Sequence, residues 1–322
     1  MKDPTYRQTL GHAWEVVWHN KMLWILGLLS VFLGQIGFSN IFGKIWAMFD
    51  FGLPEDQEGF FHLLKVLVSG GTSSFVGTLW LVVICGLVAT MVIFLATVSQ
   101  GALISYVADW FKTRKHNKTL DKSWQNSLKH FWNIFWINMV RQLGLFFLLA
   151  GFMVVANDFF NSTSWSGSFL FAASAVAVLF ASLFLSAFSV YALCYLVLDG
   201  KGLAKSLKKA WALFSEHFLV SLEVGLFLML CNLVLVLAIV AGSFFAFLPA
   251  ALIWIVAGVS NTVPLALLGL VTGIFLFLVV AAIMAGIFNA FTTSAWVFLF
   301  IKMHKEGVSS RLIHLAKYMF SR

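Results

Sequence analysis

An eight-residue phrase occurs three times in this chain, each time just before a long apolar run: residues 10–17 (LGHAWEVV), 128–135 (LKHFWNIF) and 207–214 (LKKAWALF). Each copy opens on a leucine (Leu10, Leu128, Leu207) and passes through Ala or Phe to a tryptophan (Trp14, Trp132, Trp211). Val or Phe follows three residues later. A looser fourth copy at residues 312–319 (LIHLAKYM) has Ala316 and Met319 in place of the tryptophan and the last apolar residue. Apolar groups at i, i+4 and i+7 share one face of a helix, while Arg7, Gln8, His12, Lys129, Lys205, Lys208 and Lys209 fall on the other faces. The phrase therefore predicts an amphipathic helix lying on a membrane, and its recurrence predicts a chain built from repeated units.

The chain is 61% hydrophobic and only 11% charged, with a mean hydropathy of +0.94, far outside the range of soluble domains. It is expected to be an all-α integral membrane protein. Runs long enough to cross about 30 Å of hydrocarbon occur six times. They lie near residues 22–47, 75–108, 134–156, 169–197, 218–248 and 264–300. Thirty-five phenylalanines and 13 tryptophans point to aromatic side chains at interfaces and between helices as well as facing lipid. Cys85, Cys194 and Cys231 stand apart within apolar runs, with no CxxC or Cys/His cluster, which argues against a disulfide framework or a zinc site. No small-residue cleavage site follows the polar N-terminal segment, so the first run is expected to be retained.

Lysine and arginine are unevenly distributed between the runs. The N-terminal segment has Lys2, Arg7 and Lys21, and the segment after the second run has Lys112, Arg114, Lys115, Lys118, Lys122 and Lys129. Lys201, Lys205, Lys208 and Lys209 follow the fourth run, and Lys302, Lys305, Arg311, Lys317 and Arg322 lie in the tail. The alternate segments have only Lys44 and Lys65, with Asp50, Glu55, Asp56, Glu58 and Asp158. Eighteen of the 21 cations thus fall on one side, and Arg141 lies within a run. The positive-inside rule then places both termini in the cytoplasm. The net charge of +8 follows from this bias and requires no nucleic acid. A basic collar of Lys112, Arg114, Lys115, Lys118, Lys205, Lys208 and Lys209 would attract anionic lipid at about 1 kcal/mol for each cation near the surface.

The expected organisation is one membrane domain over residues 1–322, with units at about 5–111, 120–200 and 202–302 and a C-terminal amphipathic helix at 306–320. Each unit is a surface helix followed by two spans, so all copies enter the membrane in the same orientation. Gly27, Gly144 and Gly225 recur early in the first span of each unit, where they would let neighbouring backbones approach. The segments NSLKHFW (126–132) and KSLKKAW (205–211), alternating with apolar hairpins, resemble those of bacterial six-span membrane proteins of the YciC type. They also resemble the membrane domain fused to some glycerophosphodiester phosphodiesterases. The resemblance covers nearly the whole chain and implies an accessory, lipid-linked module in a bacterial inner membrane.

Arg141 and Glu223 are the charges nearest the membrane interior, each in the cytoplasmic third of its unit's first span. An unpaired charge there costs roughly 2.5–3.5 kcal/mol, so the two are expected to face the bundle and pair. One reading is a headgroup or ion site reached from the cytoplasm, with Arg141 taking a phosphate by two parallel hydrogen bonds. The other is a structural ion pair, or an arginine that snorkels to the interface. Gln100 and Asn289, each late in a second span, are candidates to line a shared cavity. His12, His130 and His314 hold the same place in three copies of the phrase, close to the expected headgroups. No HExxH, GxSxG, P-loop spacing or paired catalytic carboxylates occur, and no cofactor is indicated. The expected function is a non-enzymatic, phospholipid-interacting membrane protein involved in membrane organisation or lipid handling. The alternative is a small-solute or lipid transporter with a cytoplasm-facing site near Arg141. Membrane lipids, anionic ones above all, are the expected partners, and the sequence leaves room for a protein partner or a homo-oligomer.

Overall fold

The computed structural model describes residues 5–34, 71–113, 120–161, 165–260 and 262–306. Over these residues the chain is helical throughout: α1 (Thr5–His19), α2 (Met22–Gly34), α3 (Gly71–Thr113), α4 (Leu120–Lys129), α5 (Phe131–Asn161), α6 (Trp165–Asp199), α7 (Leu203–Glu216), α8 (Phe218–Ser260) and α9 (Val263–Glu306). Five of them, α3, α5, α6, α8 and α9, contain stretches long and apolar enough to cross a membrane, and α2 is a shorter apolar helix. Helix is the form such runs must take in hydrocarbon, because it satisfies every backbone polar group within the segment. The end of the first expected span (35–47) and the fourth copy of the phrase (312–319) lie outside the described residues.

Three short helices lead into apolar ones through breaks of one or two residues. After α1, the Asn20 backbone and side-chain amides both donate to the Val16 carbonyl, at 3.1 and 2.9 Å. The α7–α8 break is His217 alone, whose N–H donates to Leu213 O at 3.0 Å before Ser221 N resumes the helix on His217 O. The α4–α5 break, at His130, falls inside the phrase. Trp132 therefore begins α5, whereas Trp14 and Trp211 lie within α1 and α7. The second copy has Phe131 where the others have Ala13 and Ala210, and its ring packs on Phe94 of α3 at 5.1 Å.

Residues 249–260, between the expected runs 218–248 and 264–300, are helical, since α8 runs through Pro249 to Ser260. Proline removes its own N–H bond and its ring crowds the carbonyl four residues earlier, but α9 holds α8 on both sides of it. A Cβ on Gly273 would sit 2.8 Å from the Phe247 ring and 2.9 Å from the Ala250 Cβ, while Trp254 Nε1 donates to Ala266 O at 2.8 Å. In the resulting hairpin α8 ends at Ser260 and α9 begins at Val263. Its arms have 43 and 44 residues, and at 1.5 Å per residue each is about 65 Å long, twice the hydrocarbon thickness.

The helices pack around a ring. At its centre α3, α6 and α9 contact one another. Outside them α2 packs on α3 and α9, α5 on α6 and α3, and α8 on α9 and α6. The short helices cover one end: α1 on α9, α4 on α3 and α7 on α6. Residues 96–105, 189–197 and 293–301 are buried without interruption. A helix lapped on one side buries only every third or fourth residue, so these unbroken runs are covered on all faces. Aromatic rings join the three central helices there, Tyr191 to Trp296 at 5.8 Å and Phe298 to Phe111 at 5.3 Å. Toward the other end, large apolar residues such as Leu87, Phe169, Leu252 and Val259 are exposed, as lipid-facing positions require.

Of the three glycines expected at close approaches, only Gly27 permits backbone contact. A Cβ there would collide with the Gly286 carbonyl oxygen, and one on Gly286 would lie 2.9 Å from Trp24 O. Gly144 faces the tip of Leu185, and Gly225 has ordinary contacts with Leu183 and Trp296. Gly286→Leu should therefore separate α2 from α9 and cost about 2 kcal/mol or more, as overpacking does. Gly151→Ala, with nothing within 4 Å of its new Cβ, should stay within about 1 kcal/mol of the parent. Thermal unfolding in detergent, followed by circular dichroism, compares the two.

Candidate functional site

The best candidate site begins where α4 rests on α3. Ser127 Oγ donates to Val98 O at 2.7 Å, and Gly101 leaves the room this needs, since a Cβ there would collide with Ser127 Oγ. The contact draws the start of α5 against α3. One turn along, Asn138 Nδ2 donates to Gln100 Oε1 at 2.6 Å and to Ile134 O at 3.1 Å. Arg141 and Gln142 follow at i+3 and i+4, so they share the face of α5 that carries Asn138. All four side chains are buried, with Arg141 only 6% exposed. Among the described residues, the Asn138 Oδ1 and Ser99 Oγ atoms have no hydrogen-bond partner.

A guanidinium at this depth costs several kcal/mol to desolvate unless oxyanions or amide oxygens compensate it. Its planar fork of five N–H donors matches a phosphate or carboxylate in two parallel bonds. Amide and hydroxyl groups around it can complete the shell of such an anion. Arg141 lies about 13 Å along α5 from Trp132, which is 69% exposed at the helix start. The group is therefore close to the covered end of the ring.

The residues expected to act together occupy several places. Arg141 is on α5 and Glu223, half-buried, is on α8, so they belong to different hairpins. Gln100 and Asn289 bond different partners. Gln100 bonds Asn138, whereas Asn289 Nδ2 donates to Gly27 O at 2.9 Å and to Ser30 Oγ at 2.7 Å. Each amide fastens a different seam, α3 to α5 and α9 to α2. The third seam, α6 to α8, is fastened by Tyr191 OH and Ser221 Oγ at 2.9 Å. No sequence signal set that tyrosine and serine apart from other hydroxyl residues in apolar runs.

In the phrase, Trp14, Trp132, Trp211 and Leu128 are exposed, and Leu10 and Leu207 are half-buried. The buried stripe comprises Thr9, Ser127 and Ser206, the residues just before each leucine, together with Val16, Ile134 and Leu213. Of the expected basic collar, Lys205, Lys208 and Lys209 are exposed on α7. Lys112 is in α3, and Arg114, Lys115 and Lys118 lie outside the described residues. A separate, largely apolar cleft of about 370 Å³ lies between the far ends of α5 and α6, lined by Val155, Phe159, Leu170 and Ala177 with Asp158 and Ser174.

If Asn138 and Asn289 serve separate seams, Asn138→Leu and Asn289→Leu should each lower stability by roughly 0.5–2 kcal/mol. The double variant should lose the sum of the two within about 0.5 kcal/mol. Chemical unfolding of the four proteins measures this, and strong coupling would place the two amides in one network. No family model, curated protein or solved structure matches the chain.

Proposed function

We propose that the chain is a non-enzymatic protein of three two-span units whose covered end faces the cytoplasm and binds phospholipid, with a role in membrane organisation or lipid handling. The observation that carries this reading is the buried Arg141, on the face of α5 that carries Asn138 and nine residues along that helix from the exposed Trp132. In this reading α1, α4 and α7 lie along the cytoplasmic leaflet of a bacterial inner membrane, and both termini are cytoplasmic. Trp14, Trp132 and Trp211 then sit among the headgroups, where indole rings partition. Lys205, Lys208 and Lys209 draw anionic lipid to the same surface.

Arg141 takes the phosphate of a lipid headgroup by two parallel hydrogen bonds, and Glu223 serves as its ion-pair partner when the site is empty. Gln100 holds Asn138 in place, so that the Asn138 side chain remains beside the guanidinium.

Mass spectrometry of the protein purified in mild detergent tests the reading directly. The wild type should retain one anionic phospholipid above its share of the membrane, Arg141→Ala should lose that enrichment, and Arg141→Lys, which keeps the charge but not the fork, should fall between them. Thermal unfolding of each variant shows that it is folded. Retention matching the bulk membrane, or enrichment unchanged in folded Arg141→Ala, would contradict the proposal.

A further inference from the structure

At the end of the bundle away from the short helices, α5 and α6 part to leave the apolar cleft of about 370 Å³. Phe159 of α5 stacks on Phe171 of α6 at 4.6 Å, with the planes 15° apart, and Phe152 meets the same ring at 5.5 Å. Beside these rings the α6 wall includes Gly167, Ala173 and Ala177, which are too small to fill the space between the helices. The far end of the α8–α9 hairpin is closed by its own side chains, with Phe247 against Gly273 and Trp254 against Gly269. That hairpin also has no Asp, Glu, Lys or Arg between Glu223 and Lys302. The cleft of α5 and α6, by contrast, has a carboxylate in its lining, Asp158, three residues before α5 ends.

The cleft is polar at one end and apolar at the other. Along α6 its lining runs from Gly167, near the turn between the two helices, to Ala177, about 15 Å deeper. Asp158 is exposed toward the turn, and Val155 lies one helical turn deeper on α5. An occupant therefore has its polar part at the turn and its hydrocarbon toward the bilayer centre, as a lipid does. The two polar side chains of the lining set the chemistry of that polar part. Ser174 Oγ donates to Phe171 O at 2.8 Å, so its oxygen is left to accept. The Asp158 carboxylate has about four acceptor sites, enough for a ligand and a protein neighbour together. Neither offers a proton to an anionic group. The complement is a cation that donates, and a primary ammonium brings a positive charge with three N–H donors. A trimethylammonium has the charge but no donor.

We propose that this cleft binds a lipid whose headgroup ends in a primary ammonium, as in phosphatidylethanolamine, with the ammonium on Asp158 and one acyl chain against Leu170, Ala173 and Ala177. Hydrocarbon chains fill any open apolar gap in a bilayer, so the acyl chain supplies affinity and the charge-assisted bond to Asp158 supplies the selectivity. The site differs from that of Arg141 in both place and sign. It lies about 25 Å further along α5 and takes a cation, where Arg141 takes an anion. The inference requires only that the α5–α6 hairpin stands in a bilayer, and it depends neither on Arg141 nor on which side the covered end faces.

Native mass spectrometry of the full chain in a non-ionic detergent tests it, by titration with phosphatidylethanolamine and phosphatidylcholine of the same short acyl chains, and with dodecylamine. The two lipids differ only in the methyl groups on nitrogen, and phosphatidylethanolamine should bind about tenfold more tightly, the gain expected for a charge-assisted bond. Asp158→Asn should bring the lipids level. Asp121→Asn, which removes the same charge from an exposed position of α4, should keep the preference. Ala177→Phe, which fills the cleft and leaves the carboxylate in place, should weaken both lipids, and thermal unfolding shows that each variant is folded. Equal affinity for the two lipids in the wild type, which needs no variant, or an undiminished preference in folded Asp158→Asn, would overturn the site. Equal lipid affinities together with dodecylamine binding that depends on Asp158 would overturn the lipid and identify a free amphiphilic amine as the ligand.

Discussion

Burial of one end of α3, α6 and α9 on every face is the condition from which the rest of the fold follows. Three helices in contact can cover only one another's inward faces. The remaining surface of residues 96–105, 189–197 and 293–301 must be covered from outside, and each of these helices obtains a short helix and the start of a long one for the purpose. The short helices accordingly present a stripe of small hydroxyl and aliphatic residues, Thr9 with Val16 on α1, Ser206 with Leu213 on α7, and Ser127 on α4, which Ile134 continues at the start of α5. Small residues let the backbones come close, as Gly101 under Ser127 shows, and the hydroxyls find carbonyl acceptors such as Val98 O and Lys201 O.

Closing the ring sets a different problem at each seam. Between α3 and α5, and between α6 and α8, the chain itself runs from one hairpin to the next through α4 and α7. Between α9 and α2 no such connection exists, because the two helices come from opposite ends of the sequence. Here the packing is closest, with bare backbone at Gly27 and Gly286 and the Asn289 amide bound to both Gly27 O and Ser30 Oγ. Amide and hydroxyl bonds of this kind are individually worth about 0.6 kcal/mol between apolar helices, so they set register more than they supply stability. Among the described residues, only the α3–α5 seam adds a buried cation, Arg141, to its amides. That departure from the pattern of the other two seams makes Arg141 the natural place to look for function.

Hydropathy alone revealed the long helices, because a run such as residues 169–197 has no other stable form in hydrocarbon, and α6 extends only a few residues beyond it at each end. The fifth expected run, 218–248, stops short of Pro249, whereas the cost of a proline depends on whether a partner helix grips the segment beyond it, and that grip comes from Gly269, Gly273 and Ala266 some twenty residues away. The phrase marked the short helices but not which of their faces is buried. Tryptophan and leucine drew attention to the exposed side, while the residue before each leucine carried the packing signal. In the fourth copy that position is Arg311, so its chemistry differs from the other three. The Gln100–Asn138 contact joins helices through tertiary packing, which no spacing in the sequence encodes.

The account depends most on the short helices lying at one depth in the cytoplasmic leaflet, and spin labels placed singly at positions 14, 132 and 211 in the protein reconstituted into liposomes test this. Power-saturation measurements with oxygen and with a water-soluble nickel chelate report the depth of each label. The account predicts three similar depths in the headgroup region, with oxygen and the chelate both effective. A label immersed in water, or one near the bilayer centre, would contradict it.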